Sequence, residues 1–342
     1  MLTSDLVCFG EAMIRLAPPH FARLEQAAQL DLQVGGSEFN TAVGAARLGL
    51  RSRWVSRLPE NALGRMVRNK AREQGVDTDH IVWTPQGRVG LYFAEFGAAP
   101  RPSAVLYDRQ GSAMATLGAE EMDWERALEG ARAFHISGIT PALGAGPAAA
   151  TQAALQAARR RGLITSYDLN YRRSLWSPEQ ARRVQEPRMP LVDVLITTEE
   201  DAGVVLGVAP EGGGGQAEVA AGDRYAAVAR TLTQRFGFQA VAITLRETPS
   251  IWRNRWSALV YAAGRAHRAA DYEVEVVDRI GAGDAFAAGL LAGYLQEASW
   301  ERAADLGAGF SALQHSWPGD CNWATPTEVQ ALLGKPSLRV AR

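Results

Sequence analysis

The chain has 342 residues, a formal net charge of −1, 47% hydrophobic residues and 21% charged residues. That length admits one large α/β domain or two ordinary ones, and the near-zero charge argues against a dedicated nucleic-acid or anionic-membrane binder. Of 36 basic residues only Lys70 and Lys335 are lysine, which removes the GxxxxGK[ST] phosphate loop and the protein-kinase VAIK lysine and leaves little room for Schiff-base chemistry.

In chain order, the apolar run Leu6–Phe9 reads as a first strand. Gln29–Val34 alternates polar and apolar at period two, the pattern of a half-exposed strand. A helical pattern over 40–48 leads to a strand at Arg53–Ser56 and a helix over 62–74. Val89–Phe96 and Ala104–Asp108 then read as two strands joined by a Pro/Gly-rich turn, with no helix between them. Regular alternation follows: strand Ala133–Ser137, helix 147–161, strand Leu163–Tyr167, helix 178–186, strand Val192–Ile196, helix 223–236. Strands Ala240–Leu245, Ala258–Tyr261 and Glu273–Val277 precede helices over 284–297 and 300–316. Such alternation predicts βαβ units and a mostly parallel sheet. The strands without helices predict a small second sheet, inserted at about 12–34 and 88–110, that serves as a lid. The run Gly212–Gly215 reads as a mobile surface loop.

The strongest local signal is Val276-Val277-Asp278-Arg279-Ile280-Gly281-Ala282-Gly283-Asp284-Ala285-Phe286. A strand runs into a glycine-rich turn and then a helix of small residues. Gly281 and Gly283 allow a tight turn and close approach of backbone amides to a ligand, and the helix aims its unpaired N–H groups at the same spot. Together with Ala282 they make an anion site suited to a phosphoryl group in transfer. Asp284 can accept a proton from a hydroxyl placed there, or can serve only as a helix cap. A dinucleotide-binding turn is a further reading, although Phe286 replaces the third glycine of GxGxxG and the motif lies late in the chain. The strings Gly144-Ala145-Gly146 and Gly307-Ala308-Gly309 read as helix packing. A second signal, Val34-Gly35-Gly36-Ser37-Glu38-Phe39-Asn40, places two glycines before a helix. It is a ligand contact in which Asn40 offers donor and acceptor, or a tight turn with a helix cap.

Other chemistries find no support. Cys8 and Cys321 cannot form a disulfide framework, no CxxC is present, and the five histidines give no HExxH. No window holds eighteen uncharged apolar residues and no signal segment is evident, so the expectation is a cytoplasmic protein with no membrane and no nucleic-acid partner.

The two glycine-rich regions, in this order over nearly the whole chain, resemble the signature regions of the ribokinase-like (PfkB) carbohydrate kinases. The resemblance implies a single domain over 1–342, a three-layer α/β/α sandwich with a mostly parallel central sheet and a small β-sheet lid over the sugar. It implies that Gly281, Ala282 and Gly283 form the anion hole, and that Asp284 is the base that deprotonates the sugar hydroxyl attacking the γ-phosphate of ATP. Gly10-Glu11-Ala12-Met13-Ile14-Arg15-Leu16, Gly90-Leu91-Tyr92, Leu106-Tyr107-Asp108-Arg109, the 137–143 segment and the 168–176 segment are similar to one branch, the 2-keto-3-deoxygluconate kinases. Where many neutral-sugar members carry an aspartate, this chain has Arg15, which suits a substrate carboxylate.

By the same resemblance Gly36, Asn40, Tyr92, Tyr107, Arg109, Arg172, Asp284 and Asp320 bind substrate. Asn170, Arg172, Thr197, Arg246, Gly281, Gly283 and Ala308 fall at ATP-side positions, with Thr197 and Ala308 replacing asparagines of other members. Glu200 is matched to Mg²⁺, acting through water, and Asp278 to a monovalent cation. The segment Arg246–Trp252 replaces a glycine-rich nucleotide loop. The implied activity is phosphorylation of 2-keto-3-deoxygluconate at its terminal hydroxyl. The alternatives are a fructokinase-like or other sugar kinase, a dinucleotide-binding oxidoreductase, and a catalytically silent sugar-binding protein. The exposed edges of the lid strands suggest a homodimer.

Overall fold

The computed structural model describes residues 4–209 and 221–334; the 212–215 glycine run lies outside them. At its centre is a nine-stranded sheet. Its order is Arg265–Arg268, Arg253–Ala262, Ala240–Ser250, Val194–Thr197, Ile164–Asp168, Ala133–Ser137, Leu6–Phe9 and Ser52–Val55, with Tyr272–Glu275 also paired to Arg253–Ala262. From Ala240–Ser250 to Ser52–Val55 the strands are parallel; the remaining pairings are antiparallel.

Leu6–Phe9, Ala133–Ser137 and Val194–Thr197 are buried at every position, as strands covered by helices on both faces must be. Their side chains alternate between two cores. Val7 and Phe9 join Phe134 and Ile136 against Ala150, Ala154 and Leu155 of helix Ala145–Arg160. Leu6 and Cys8 face Ala42 and Ala45 of helix Ser37–Arg47 and Ala288 and Leu291 of helix Ala282–Glu297. The last helix and its neighbour Trp300–Gln314 approach closely because they cross at small residues. A β-carbon on Gly289 would lie 2.7 Å from the Gly307 Cα, so the 307–309 string is helix packing.

A separate four-stranded sheet has the order Asp31–Gly35, Met13–Ala17, Leu91–Glu95, Ala104–Asp108. Three of these strands match expectation. Met13–Ala17 falls within the 12–34 segment expected to carry the small sheet but outside its period-two stretch, and four of its five residues are buried. The strand expected to stop at Leu245 continues to Ser250 and pairs back on Arg253–Ala262 through the turn at Ile251 and Trp252. Residues 246–250 are exposed, so the extension has no core signature; strand pairing instead satisfies its backbone groups. At the hairpin tip Trp252 packs edge-on against Phe21 with ring centroids 5.1 Å apart. Phe21 belongs to the segment joining Met13–Ala17 to Asp31–Gly35, so the small sheet and the hairpin meet there. No helix among the described residues is long and apolar enough to cross a membrane.

Candidate active site

A cleft of about 770 Å³ opens beyond the C-terminal ends of the parallel strands. It lies where the chain reverses its direction of travel across the sheet, passing from Leu6–Phe9 to Ser52–Val55 on one side and to Ala133–Ser137 on the other, the position where ligands bind in open α/β sheets. The small sheet forms one wall through Met13, Tyr92, Val105 and Tyr107, and the Gly281–Asp284 turn faces it.

Gly281 is the N-cap of helix Ala282–Glu297, with φ at 83° and no side-chain capping bond. A β-carbon there would overlap the Asp320 carbonyl oxygen, so both backbone conformation and space require glycine. Gly283 is exposed, and a β-carbon on it would meet nothing within 4 Å. The first-turn amides of a sixteen-residue helix therefore remain uncapped beside an open space. Asp284 is not the cap. Its Oδ1 accepts a hydrogen bond from Ser37 Oγ and its Oδ2 from Asn40 Nδ2, both at 2.7 Å. Burial pushes its pKa up, while the bonds from Asn40 and Ser37 and the charge of Arg172 pull it down. Ser37 Oγ in turn accepts from Asn170 Nδ2 at 3.0 Å. Gly36 N donates to Asn40 Oδ1 at 3.3 Å, and a β-carbon on Gly36 would overlap the Glu11 carbonyl.

On the small-sheet side, Tyr92 is buried and donates its hydroxyl to Asp320 Oδ2. Tyr107 stacks on it at 5.8 Å and is half exposed to the cleft. Arg109 donates from Nε at 2.9 Å and from Nη2 to Glu11 Oε2, whose other oxygen accepts from Ser112.

Comparison with known proteins agrees with this geometry. The profile of the pfkB family carbohydrate kinases matches residues 3–328. The chain belongs to that family. It is 38% identical to a 2-dehydro-3-deoxygalactonokinase of Haloferax volcanii, over 97% of both chains. A solved 2-dehydro-3-deoxygluconokinase of Thermotoga maritima superposes with a TM-score of 0.92 at 41% identity, covering 97% of this chain and 98% of that one. A putative ribokinase of E. coli, solved in complex with ATP and Mg²⁺, shares the fold with a TM-score of 0.80 at 18% identity, over 97% of this chain and 100% of that one.

The dinucleotide reading of the late glycine turn fails for this kinase. The turn follows Tyr272–Glu275, an antiparallel strand at the edge of the hairpin, rather than the opening strand of a βαβ unit. Arg172 is exposed on the cleft wall and has no carboxylate within ion-pair distance among the described residues. Thr197 and Arg246 also line the cleft. The charges of Arg279 and Arg172, after burial itself, lower the Arg246 pKa, so three guanidiniums share this end of the site. Arg279 was not among the expected residues, although it stands inside the 276–286 motif.

Three expectations are corrected. Ala308 is fully buried with Phe286 and Val260 in the helix-packed core and does not line the cleft. A methyl group at a helix–helix contact has no way to reach nucleotide. Arg15 is only 1% exposed and does not line the cleft either; its charge is committed to Asp278 and Asp320. The monovalent-cation site expected at Asp278 does not fit: Oδ1 accepts from Ile280 N at 2.9 Å, and Oδ2 from Arg15 Nη2 at 2.6 Å and Gly319 N at 3.0 Å. A guanidinium already balances that carboxylate.

Glu200 is exposed on the cleft wall. Behind it lie Asp168 and Asp201, which sequence reasoning passed over. Burial and then the charges of Asp284 and Asp201 raise the Asp168 pKa, and burial raises that of Asp201. No group of three or more His, Cys, Asp or Glu side chains among the described residues could hold a metal ion by itself. Cleft carboxylates without a protein cage suit Mg²⁺ carried in on phosphates and water.

Proposed function

We propose that this kinase transfers the γ-phosphoryl group of ATP to the terminal hydroxyl of a 2-keto-3-deoxy sugar acid, with 2-keto-3-deoxygluconate as the leading substrate. The observation that carries the reading is Asp284, held by Ser37 and Asn40 beside the uncapped amides of Ala282 to Asp284. Asp284 takes the proton of the substrate hydroxyl as the amides receive the phosphoryl oxygens. Gly36, Asn40, Tyr92, Tyr107, Arg109 and Asp320 bind the sugar acid. Arg172, whose guanidinium bonds only the Tyr171 carbonyl among the hydrogen bonds of the described residues, serves the carboxylate or the phosphates. Asn170, Thr197 and Arg246 lie on the nucleotide side, and Glu200 would hold Mg²⁺ through ordered water. Bound Mg²⁺ spreads the charge of the β- and γ-phosphates. The small sheet excludes water, the competing acceptor.

The similarity to the Haloferax volcanii relative supports a second reading, the C4-epimeric acid 2-keto-3-deoxygalactonate. A neutral ketohexose has no carboxylate for Arg172, a cleft arginine without a carboxylate partner among the described residues. Coupled ADP release on both acids, fructose and ribose tests this: kcat/KM for a keto-deoxy acid should exceed that for fructose by about 10² or more. Fructose turning over as well as either acid would refute the sugar-acid reading. Free Cys8 and Cys321 are compatible with a reducing cytoplasm. A homodimer through the exposed strand Ala104–Asp108 is the assembly we expect, and light scattering at micromolar concentration tests it.

A further inference from the structure

A fully buried ion-pair network lies behind the Gly281 turn, and its arginine does not line the cleft. Arg15 projects from Met13–Ala17 of the small sheet, and its guanidinium lies 4.9 Å from the Phe96 ring centroid. Nη2 donates to Asp278 Oδ2 at 2.6 Å and Nη1 to Asp320 Oδ1 at 2.7 Å. These two aspartates bracket the anion hole. Asp278 stands three residues before Gly281 and holds Ile280 N. The Asp320 carbonyl lies directly against Gly281, where a β-carbon would overlap it. Asp278 Oδ2 also receives Gly319 N, tying the two segments together. Tyr92, from the adjacent strand of the small sheet, bonds the remaining Asp320 oxygen. Arg15 is the only cation within ion-pair distance of either aspartate among the described residues. Without it, two buried carboxylates would stand behind amides that must receive a phosphoryl anion.

We propose that Arg15 is a positioning residue that assembles the anion hole. Its guanidinium is a built-in counter-ion for Asp278 and Asp320, couples the small sheet to the Gly281 turn, and makes a dissociable monovalent cation at Asp278 unnecessary. The role concerns phosphoryl transfer and does not depend on which acid is the acceptor.

The test uses the full chain, Mg-ATP and whichever sugar acid turns over fastest, so that a failure of the substrate assignment leaves it intact. Wild-type kcat should agree within about twofold in potassium, sodium and tetramethylammonium chlorides at equal ionic strength. A rate more than about fivefold higher in potassium than in tetramethylammonium overturns the proposal. Arg15→Ala should lose about 10²-fold in kcat with the KM for ATP changed less than about threefold, and added guanidinium should restore at least about tenfold of the kcat. A folded Arg15→Ala with unchanged kcat, or a loss that guanidinium leaves untouched, overturns it. Arg15→Lys, which keeps the charge and protects the test against misfolding of the alanine variant, cannot bridge both carboxylates and should lose about tenfold in kcat. Wild-type kcat in the lysine variant also overturns the proposal.

Discussion

Asp284 is held by two bonds from a helix that precedes it by more than two hundred residues. Asp284→Asn keeps the size of the side chain, removes its charge and its capacity to take a proton, and leaves one accepting oxygen for the bonds from Ser37 and Asn40. The variant should fold and keep its KM values while kcat falls about 10²–10⁴-fold; a variant retaining a tenth of wild-type kcat would remove Asp284 from the role of base. Glu38, next to Ser37, anchors the same helix start. Its Oε1 accepts from Ser137 N, Ser137 Oγ and Thr140 Oγ1, each at 2.8 Å. Burial, only partly offset by the bonds from Ser137 and Thr140, pushes its pKa up from 4.5 to about 7. The unfolded chain releases that proton near 4.5 and the folded protein holds it to about 7, so this contribution to stability is present below 4.5 and lost as pH rises through 7. Glu38→Gln keeps an acceptor and abolishes the titration. Urea unfolding at pH 5 and pH 8 should show the stability of wild type relative to the variant dropping by about 2 kcal/mol at the higher pH. A gap independent of pH would show that Glu38 stays ionised throughout.

At the scale of elements, the turn into helix Ala282–Glu297 distinguishes two glycines that look alike in the sequence. Gly281→Ala forces a β-carbon into a left-handed position against the Asp320 carbonyl. It should lower stability by at least about 1 kcal/mol and abolish turnover. Gly283→Ala adds a methyl group in open space on the cleft wall. It should leave the melting temperature unchanged and lower kcat/KM for ATP by about tenfold. Equal losses of stability in the two variants would contradict this geometry. The turn and its aspartate were legible because the glycines, the helix start and the acid are contiguous. The parallel strands were legible because burial on both faces leaves apolar runs. The 246–250 extension was not legible: its residues are exposed and only pairing with Arg253–Ala262 makes them a strand.

At the scale of the molecule, the Phe21–Trp252 contact joins the segment between two strands of the small sheet to the tip of the Ala240–Ser250 hairpin. Trp252→Ala removes that ring contact. ATP hydrolysis without sugar acid should then rise several-fold relative to sugar-acid phosphorylation, because water enters the cleft more readily. An unchanged ratio would show that the contact has no part in closure. The candidate site was partly legible in the sequence. Gly36, Asn40, Tyr92, Tyr107, Arg109, Arg172, Asp284 and Asp320 all line one cleft, and the chemistry of the glycine turn is local. Arg15 and Ala308 show the boundary of that reading. By itself the sequence determined the alternating fold and the glycine turn, since periodicity, glycine conformation and helix starts are properties of neighbouring residues. Only the tertiary structure decided which charges are free. Arg15 meets its partners 263 and 305 residues away, and Arg109 meets Glu11 across 98 residues. A guanidinium held by a buried carboxylate and one open to a ligand look the same in a sequence, because the difference lies in what folding brings beside them.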